Sequence, residues 1–199
     1  MSKFFVCCIF FSLLYCRGSA QQSDSPIGKT LTPEQIGGFR EQAIKTINDL
    51  EKFIQIITNK RSSFDKKNDA IELALDLFIA DTTTIEVSSL KSGGIRTFEI
   101  GAYLAKLKLL PYASVKITWY KIYLGSNFVK SPDGYYYGSA TFLQRFEGIS
   151  NNEMGNYTDI TKRHITIVLK KLDALEGDIK VDKYILKLGD IKVEETKGG

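Results

Sequence analysis

The sequence predicts an α+β domain in which two N-terminal helices and a short third helix pack on a curved antiparallel sheet. Apolar residues recur at helical spacing through residues 36–78, whereas β-branched and aromatic residues alternate with a period of two through most of residues 83–193. Helices that come first, followed by strands joined by turns, are typical of the α+β class. The length of 199 residues favours a single domain.

The first 20 residues are typical of a cleaved signal peptide. Lys3 supplies an early positive charge, residues 4–15 form an apolar run, and Gly18 and Ala20 are the small residues expected before a cleavage site. The run is shorter than the ~20 residues that span a bilayer. We therefore expect cleavage after Ala20 and an exported protein with no membrane span, located in the periplasm, at the cell surface or outside the cell.

All three cysteines, Cys7, Cys8 and Cys16, lie in the segment that this cleavage would remove. The mature chain would then have no disulfide, no thiolate nucleophile and no cysteine metal site. Lipidation at Cys16 is the alternative, but bulky Tyr15 precedes it where a lipidation site normally has a small residue. A domain of this size can bury enough apolar surface without disulfides, which favours a bacterial envelope over a eukaryotic extracellular module.

The charge balance excludes a nucleic-acid binder that relies on a strong basic field. The net charge of the chain is +4, and the first 20 residues contribute Lys3 and Arg17 with no acid. The rest of the chain therefore carries 25 basic and 23 acidic side chains. Proteins that bind nucleic acid through their phosphates usually carry a much larger positive excess.

The chain after the signal peptide divides into three parts. Residues 21–30 are polar, contain Pro26 and Gly28, and are predicted to form a flexible leader. Residues 31–195 carry all of the predicted helices and strands, so they form the domain. Residues 196–199 are predicted to be a short tail.

Three helices are predicted in the domain. Thr32 and Gln35 form a capping box around a proline, and apolar spacing continues the first helix to about Asn59. A second amphipathic stretch after Ser63 predicts a helix that ends near Ala80. A third, short helix extends over residues 100–110 and stops before a proline.

The strands come from runs of alternating or β-branched residues separated by turn residues. Residues 131–134 (Ser-Pro-Asp-Gly) and Gly93-Gly94 are turn sequences, and Gly189-Asp190 predicts a bulge or bend in the last strand. The predicted strands are residues 83–88, 115–123, 135–146, 163–171 and 183–193.

His164 is the only histidine, which limits the chemistry that the chain can perform. A histidine-based metal site is excluded because one histidine and no mature cysteine leave only carboxylates, so no metal is predicted. By alternation, His164 lies on the opposite face of its strand from Ile165, Ile167 and Leu169. An incidental sheet histidine is therefore favoured over a general base. Motifs for phosphate binding or a serine nucleophile do not occur, so no cofactor is predicted.

Ten aromatic residues cluster in the middle of the chain and are its most suggestive feature. Aromatic side chains bind sugars, planar molecules and peptides, but they are also favoured in strands and fill cores, and both roles are open here. Strict alternation puts Trp119 and Tyr123 on one face of their strand. It likewise puts Tyr136, Phe142 and Phe146 on one face of theirs.

The order of the elements resembles the NTF2-like (cystatin-related) α+β cone of exported bacterial proteins. The resemblance covers residues 31–195, and the stretches that carry it are LTPEQI at 31–36, FREQA at 39–43, ALDLF at 74–78, YLAKL at 103–107 and YTDITK at 157–162. These stretches mark structural elements rather than chemistry. The fold hosts both enzymes and non-catalytic binding modules, so it does not decide the function.

The resemblance implies that a catalytic member would place a His–Asp or Asp–Arg pair inside the cone. His164 and Asp76 are the candidates for the first kind of pair, but no family motif assigns a role to either. Exported members often act as binding, immunity or assembly modules. We therefore expect a non-catalytic domain that binds a partner protein or a small ligand through its curved sheet, or pairs with a second copy there.

The alternative is an isomerase- or dehydratase-type enzyme with His164 as general base in the cone. If the protein is instead a non-catalytic binding domain, no residue is predicted to be catalytic. Under that hypothesis the concave sheet face would carry the ligand site, and the candidate ligand-binding residues are Trp119, Tyr123, Tyr136, Phe142, His164 and Tyr184.

Overall fold

The computed structural model describes residues 31–91, 93–125, 127–150, 155–176 and 179–199. The signal peptide and leader that the sequence predicts at residues 1–30 lie outside these described residues. The described chain has the predicted α+β architecture, in which three helices pack on a curved and mostly antiparallel sheet.

The helices are α1 (Pro33–Thr58), α2 (Phe64–Leu75) and α3 (Ile100–Leu107). The capping box predicted for α1 is confirmed, because the Thr32 hydroxyl accepts from the Gln35 backbone N–H and the Gln35 side chain accepts from the Thr32 N–H. Its buried face follows helical spacing and packs toward the sheet through Ala43, Ile47, Leu50, Ile54 and Ile57.

The prediction that α2 continues to about Ala80 is wrong, since the helix ends at Leu75. The segment that follows lies against the sheet instead. The backbone N–H of Leu188 donates to the Leu77 carbonyl, and the Ile79 N–H donates to the Leu188 carbonyl, each at 2.8 Å. These bonds, together with burial of Phe78, are available only if the chain leaves the helix.

The sheet has seven strands in the order β2-β1-β7-β6-β5-β3, with β4 beside β5, and all neighbours are antiparallel except β1 and β7. β2 and β4 were not predicted, and β7 continues through residues that the sequence assigns to a tail. The strands are β1 (Thr84–Ser88), β2 (Ile95–Glu99), β3 (Ser114–Leu124), β4 (Val129–Lys130), β5 (Tyr136–Ile149), β6 (Tyr157–Glu176) and β7 (Ile179–Gly198).

The predicted irregularity at Gly189-Asp190 is confirmed as a bulge, where β7 has one residue more than β6. The Asp190 carboxylate accepts hydrogen bonds from the Thr84 backbone N–H at 2.7 Å and from the Thr84 hydroxyl at 2.9 Å. The bulge therefore turns a side chain toward β1 and holds that strand against β7 at its first residue.

A second bulge, in β3, corrects the prediction that Trp119 and Tyr123 share a face. Trp119 pairs with Gln144, but Tyr123 pairs with Thr141, so β3 has one residue more than β5 in between. Lys121 in this bulge has φ +53°, a left-handed conformation that is unusual for a side chain of this kind. The extra residue sends Tyr123 to the outer face of the sheet.

Candidate functional site

A cavity of about 300 Å³ lies between α3, the β1–β2 hairpin and the inner face of the sheet. Its walls are mainly apolar and aromatic, and the exposed side chains of Arg96 and Lys106 stand at its rim. The principal apolar and aromatic wall residues are Val87, Phe98, Leu107, Leu110, Ile117 and Phe146.

Strand β6 supplies the polar groups of the cavity because side chains alternate along a strand. Tyr157, Asp159 and Arg163 line the cavity. They are separated by two and by four positions along β6, so their side chains lie on the same face of the strand. Asp159 is 4% exposed and Arg163 is 1% exposed. Charged side chains are rarely buried to this degree without a purpose, because burial in an apolar surrounding disfavours the charged form.

Asp159 is held by a hydrogen bond from the Tyr157 hydroxyl at 2.6 Å. That hydroxyl accepts in turn from the backbone N–H of Leu90 at 3.0 Å, which leaves its own proton for Asp159. Burial raises the pKa of Asp159, against the opposing effects of the Tyr157 hydrogen bond and the positive charge of Arg163. The carboxylate is thus positioned by a partner and made more basic by its surroundings.

Arg163 places a positive charge at the floor of the cavity. Its Nη1 donates to the backbone carbonyl of Glu86 at 2.7 Å, while its Nε is buried and has no hydrogen-bond partner among the described residues. Burial lowers the pKa of Arg163, and the neighbouring Tyr103, Asp159 and Glu86 act in the opposite direction. The guanidinium remains charged, since its pKa is far above neutral to begin with.

Tyr103 contributes a phenol from α3 on the other side of the cavity. Its side chain is buried and lines the cavity, and its hydroxyl makes no hydrogen bond to the described residues. Burial raises the pKa of Tyr103, so the hydroxyl stays protonated and can donate a hydrogen bond.

Side chains rather than a backbone ladder join most of β1 to β7 beside the cavity. The two strands pair in parallel only at Ile85 and Ile191. Beyond that pair, the Glu86 carbonyl accepts from Arg163, and the Glu86 carboxylate accepts from the Val193 backbone N–H at 2.8 Å. The β1–β2 hairpin stays at the edge of the sheet and forms one wall of the cavity.

Three of the aromatic residues singled out from the sequence lie in the closed part of the core rather than in this cavity. Trp119, Tyr136 and Phe142 are buried, and the ring centroids of Trp119 and Phe142 are 4.4 Å apart. The Trp119 indole donates to the side chain of Gln144 at 3.1 Å. Tyr184 packs edge-on against Tyr136, with centroids 5.4 Å apart.

The other two singled-out residues lie on the outer face of the sheet. Tyr123 is 64% exposed, and His164 pairs with Thr141 and Lys192. His164 alternates with the inward-facing Arg163 along β6. The hypothesis that His164 acts inside the cone, and ligand binding by the six residues singled out from the sequence, both stay predictions.

Sequence reasoning missed Asp159 and Arg163, although the stretch YTDITK was noted. The predicted strand began at residue 163, so the alternation was not extended back to Tyr157. Extended back, it puts Asp159 and Arg163 on the same face as the apolar residues Ile165 and Ile167. Ionisable residues at core positions of a strand are the signal that could have identified the site.

Within the part of the chain that the structure describes, no three His, Cys, Asp or Glu side chains come together as ligands of a metal ion would. Of the helices in that same part, none has both the length and the apolar run needed to cross a bilayer.

Comparison with known proteins adds little to this site. No protein-family model matches the chain, and no curated protein matches it in sequence. Among solved structures, the chain is similar to a protein from Novosphingobium aromaticivorans named "Putative Scytalone Dehydratase", with a TM-score of 0.46 and 10% identity. The similarity covers 82% of this chain and 89% of that one. No conclusion about ligand or activity rests on a likeness this distant.

Proposed function

We propose that the protein binds a small organic molecule in the cavity between α3, the β1–β2 hairpin and the sheet. The observation that supports this proposal is a cavity with mainly apolar walls that also holds three buried polar groups, on Tyr103, Asp159 and Arg163. Ligand pockets commonly combine an apolar lining with a few polar groups that fix the orientation of the ligand.

The size and chemistry of the cavity favour a compact ligand with one oxygen function. A volume of about 300 Å³ is about twice that of a ~150 Å³ site that accommodates a benzene ring. Phe98 and Phe146 line the cavity and can contact a flat apolar body. Asp159 can accept a hydrogen bond, Tyr103 can donate one, and Arg163 favours a group with negative charge.

The binding proposal can be tested with single-ring probes and a variant that fills the cavity. We would titrate the protein with phenol, benzyl alcohol and benzoate and follow methyl NMR shifts. Leu110→Trp should abolish binding, because Leu110 lines the cavity. Leu109→Trp is the matched control, since Leu109 is 79% exposed and lies outside the cavity. Equal binding by both variants would contradict the proposal, as would the absence of binding in the parent protein.

A second candidate function, proton transfer of the isomerase or dehydratase type, is favoured by one observation. Asp159 is a buried, positioned carboxylate whose pKa is raised toward the range useful for a general base. It could remove a proton from the carbon next to a bound carbonyl, while the Tyr103 hydroxyl donates a hydrogen bond to the oxygen that gains charge. In this second candidate function, Asp159 is the general base and Tyr103 the hydrogen-bond donor, and His164 has no role.

Hydrogen exchange tests that second candidate without knowledge of the natural substrate. We would incubate the protein with cyclohexanone in deuterated buffer and follow loss of the hydrogens next to the carbonyl by NMR. Asp159→Asn should remove any catalysed exchange, whereas Asp76→Asn, at an exposed acid outside the cavity, should retain it. Exchange that persists in Asp159→Asn would exclude Asp159 as the base.

Export and pairing through the sheet are also proposals. Export is supported by the apolar run of residues 4–15, and N-terminal sequencing of the mature protein should find Gln21 first.

Pairing is supported by the exposed Tyr123 on the outer sheet face, and sedimentation equilibrium should then show a dimer that Tyr123→Ser weakens. A monomer at all concentrations would contradict the pairing.

A further inference from the structure

Two large apolar side chains protrude together at one end of the molecule. Phe64, the first residue of α2, is 68% exposed, and Leu109, just after α3, is 79% exposed. Both line one shallow depression, which they share with Ala105. A single exposed apolar residue is ordinary, but a pair that shares one spot on the surface raises the question of what covers it.

Five cations line this depression or a second one, whose residue Arg61 directly precedes Ser62 of the first in the chain, and we call the five cations together with Phe64 and Leu109 the basic end. Lys67 and Lys108 line the same depression as Phe64, and the Lys108 ammonium lies 4.7 Å from the centroid of the Phe64 ring. The remaining three line the second depression: Lys60, Arg61 and Lys116.

None of these five cations forms an ion pair with a carboxylate in the described part of the chain. Lys60 donates to the backbone carbonyl of Leu110 and Lys108 to the side chain of Asn68, both of which are neutral partners. The neighbouring acids are Asp65 and Asp69 of α2 and Glu147, which pairs with Lys116 across β3 and β5, and the five cations outnumber these three. The chain as a whole is close to neutral, so this end concentrates its positive charge.

We infer that the basic end docks on an anionic lipid surface. Protruding apolar side chains that can enter the boundary between headgroups and acyl chains, ringed by lysine and arginine, are the combination that binds such a surface. Phe64 and Leu109 are mostly exposed at the surface rather than recessed in a groove of the kind that receives a peptide helix or strand. A fluid bilayer requires no such groove. This inference is independent of the ligand proposed for the cavity.

Vesicle sedimentation tests the inference directly. We would mix the protein with phosphatidylcholine vesicles that contain or lack phosphatidylglycerol, at low and at high salt. Binding is expected only with the anionic lipid and should weaken at high salt, because salt screens surface charge. Loss of one contributing cation should weaken binding about fivefold.

Paired variants locate the contact. Lys67→Glu with Lys108→Glu should reduce binding at least twenty-five-fold, on the order of the product of two single losses, and Phe64→Ser with Leu109→Ser should also reduce it. The controls are Lys170→Glu with Lys192→Glu on the outer sheet face, and Val129→Ser at another exposed apolar residue. All are surface changes, and circular dichroism melts would confirm that each variant folds.

Three results would overturn the inference. They are no binding to the anionic vesicles at low salt, equal binding to vesicles of phosphatidylcholine alone, and equal loss of binding in the control variants. The first result would favour an acidic protein surface, rather than a lipid surface, as the partner of the basic end.

Discussion

The space between the helices and the sheet is filled at one end and open at the other. At the filled end, Trp119 and Phe142 stack within 4.4 Å, and Tyr136 is buried beside Tyr184. At the open end, the cavity is lined by Tyr103 and by the buried charged residues of β6. Both ends are covered by helices and built on the same strands, so the difference lies in what fills them.

The covering helices explain part of this difference. α1 has 26 residues and lies along β3, where its Glu51 carboxylate accepts from the Trp119 backbone N–H at 3.1 Å. α3 has only 8 residues and shares the open end with the β1–β2 hairpin, which is joined to β7 by a single backbone pair. A long helix can fill the layer with its own side chains, whereas a short one leaves room.

The two ends differ in the charged groups that they bury rather than in whether they contain aromatic residues, since Phe98 and Phe146 also line the open end. Aromatic side chains close the filled end, where they add stability through buried area and ring contacts. The open end buries Asp159 and Arg163, which reduces stability and is retained when a function requires it. Four predictions, each made with a substitution, test this contrast.

The largest effect is expected from truncating an aromatic residue at the filled end. Phe142→Ala should lower the free energy of unfolding by ~3–5 kcal/mol, because it leaves a void in a closely packed layer. Urea denaturation would measure this loss. The matched variant at the open end is Phe146→Ala, which should cost about half as much or less, since Phe146 is half-buried and already borders an empty space. Equal losses would show that the two ends are packed alike.

The next effect concerns the hydrogen bonds that hold the first residue of β1 against β7. Asp190→Ala removes the acceptor of two Thr84 hydrogen bonds, one of them from a backbone N–H. We expect a loss of ~1–3 kcal/mol, the cost of leaving such groups without partners. Hydrogen exchange should also speed up in β1 while β5 keeps its protection. Uniform acceleration across the sheet would contradict a local tie.

A smaller effect, with a defined dependence on pH, is expected at the open end. Because burial raises the pKa of Asp159 in the folded protein, ionisation of this group favours unfolding. Its contribution to stability is present below the ordinary Asp pKa of ~3.9 and is lost as the pH rises through the raised value. Asp159→Asn should therefore stabilise the protein at neutral pH by ~0.5–2 kcal/mol. The difference should shrink in acid.

Asp49→Asn is the control with the opposite sign. Hydrogen bonds from Lys45 and then Lys52 lower the pKa of Asp49, so its contribution is present above the ordinary Asp pKa and is lost as the pH falls through the lowered value. This variant should be less stable than the parent at neutral pH and equal to it in strong acid. Urea midpoints measured at several pH values would compare both variants with the parent. Parallel curves for Asp159→Asn and the parent would show that Asp159 is not destabilising when ionised.

The sequence predicted the architecture well, since periodicity and caps are local properties. The capping box at Thr32 and the bulge at Gly189 depend on neighbours within a few residues, and both are confirmed. The end of α2 could not be predicted, because Phe78 fits a helix face and an extended segment equally well. Only the presence of Leu188 beside it, more than a hundred residues later, decides between them.

The site was harder to predict, because two of its features depend on where strands begin and bulge. The inward position of Asp159 can be predicted only if β6 begins at Tyr157, six residues before the start that the apolar run indicates. The outward position of Tyr123 depends on the extra residue in β3, which leaves no mark in the alternation of apolar and polar residues. A one-residue insertion reverses every assignment of faces that follows it.

The smallest effect is expected at that β3 bulge. Lys121 holds φ +53°, where a side chain costs energy and glycine does not, although glycine loses more freedom on folding. Lys121→Gly should therefore be neutral or stabilising by up to ~1 kcal/mol. Lys116→Gly, earlier in the same strand, should be destabilising by ~0.5–1 kcal/mol. If both glycines destabilise equally, the left-handed conformation of Lys121 is not strained at this bulge.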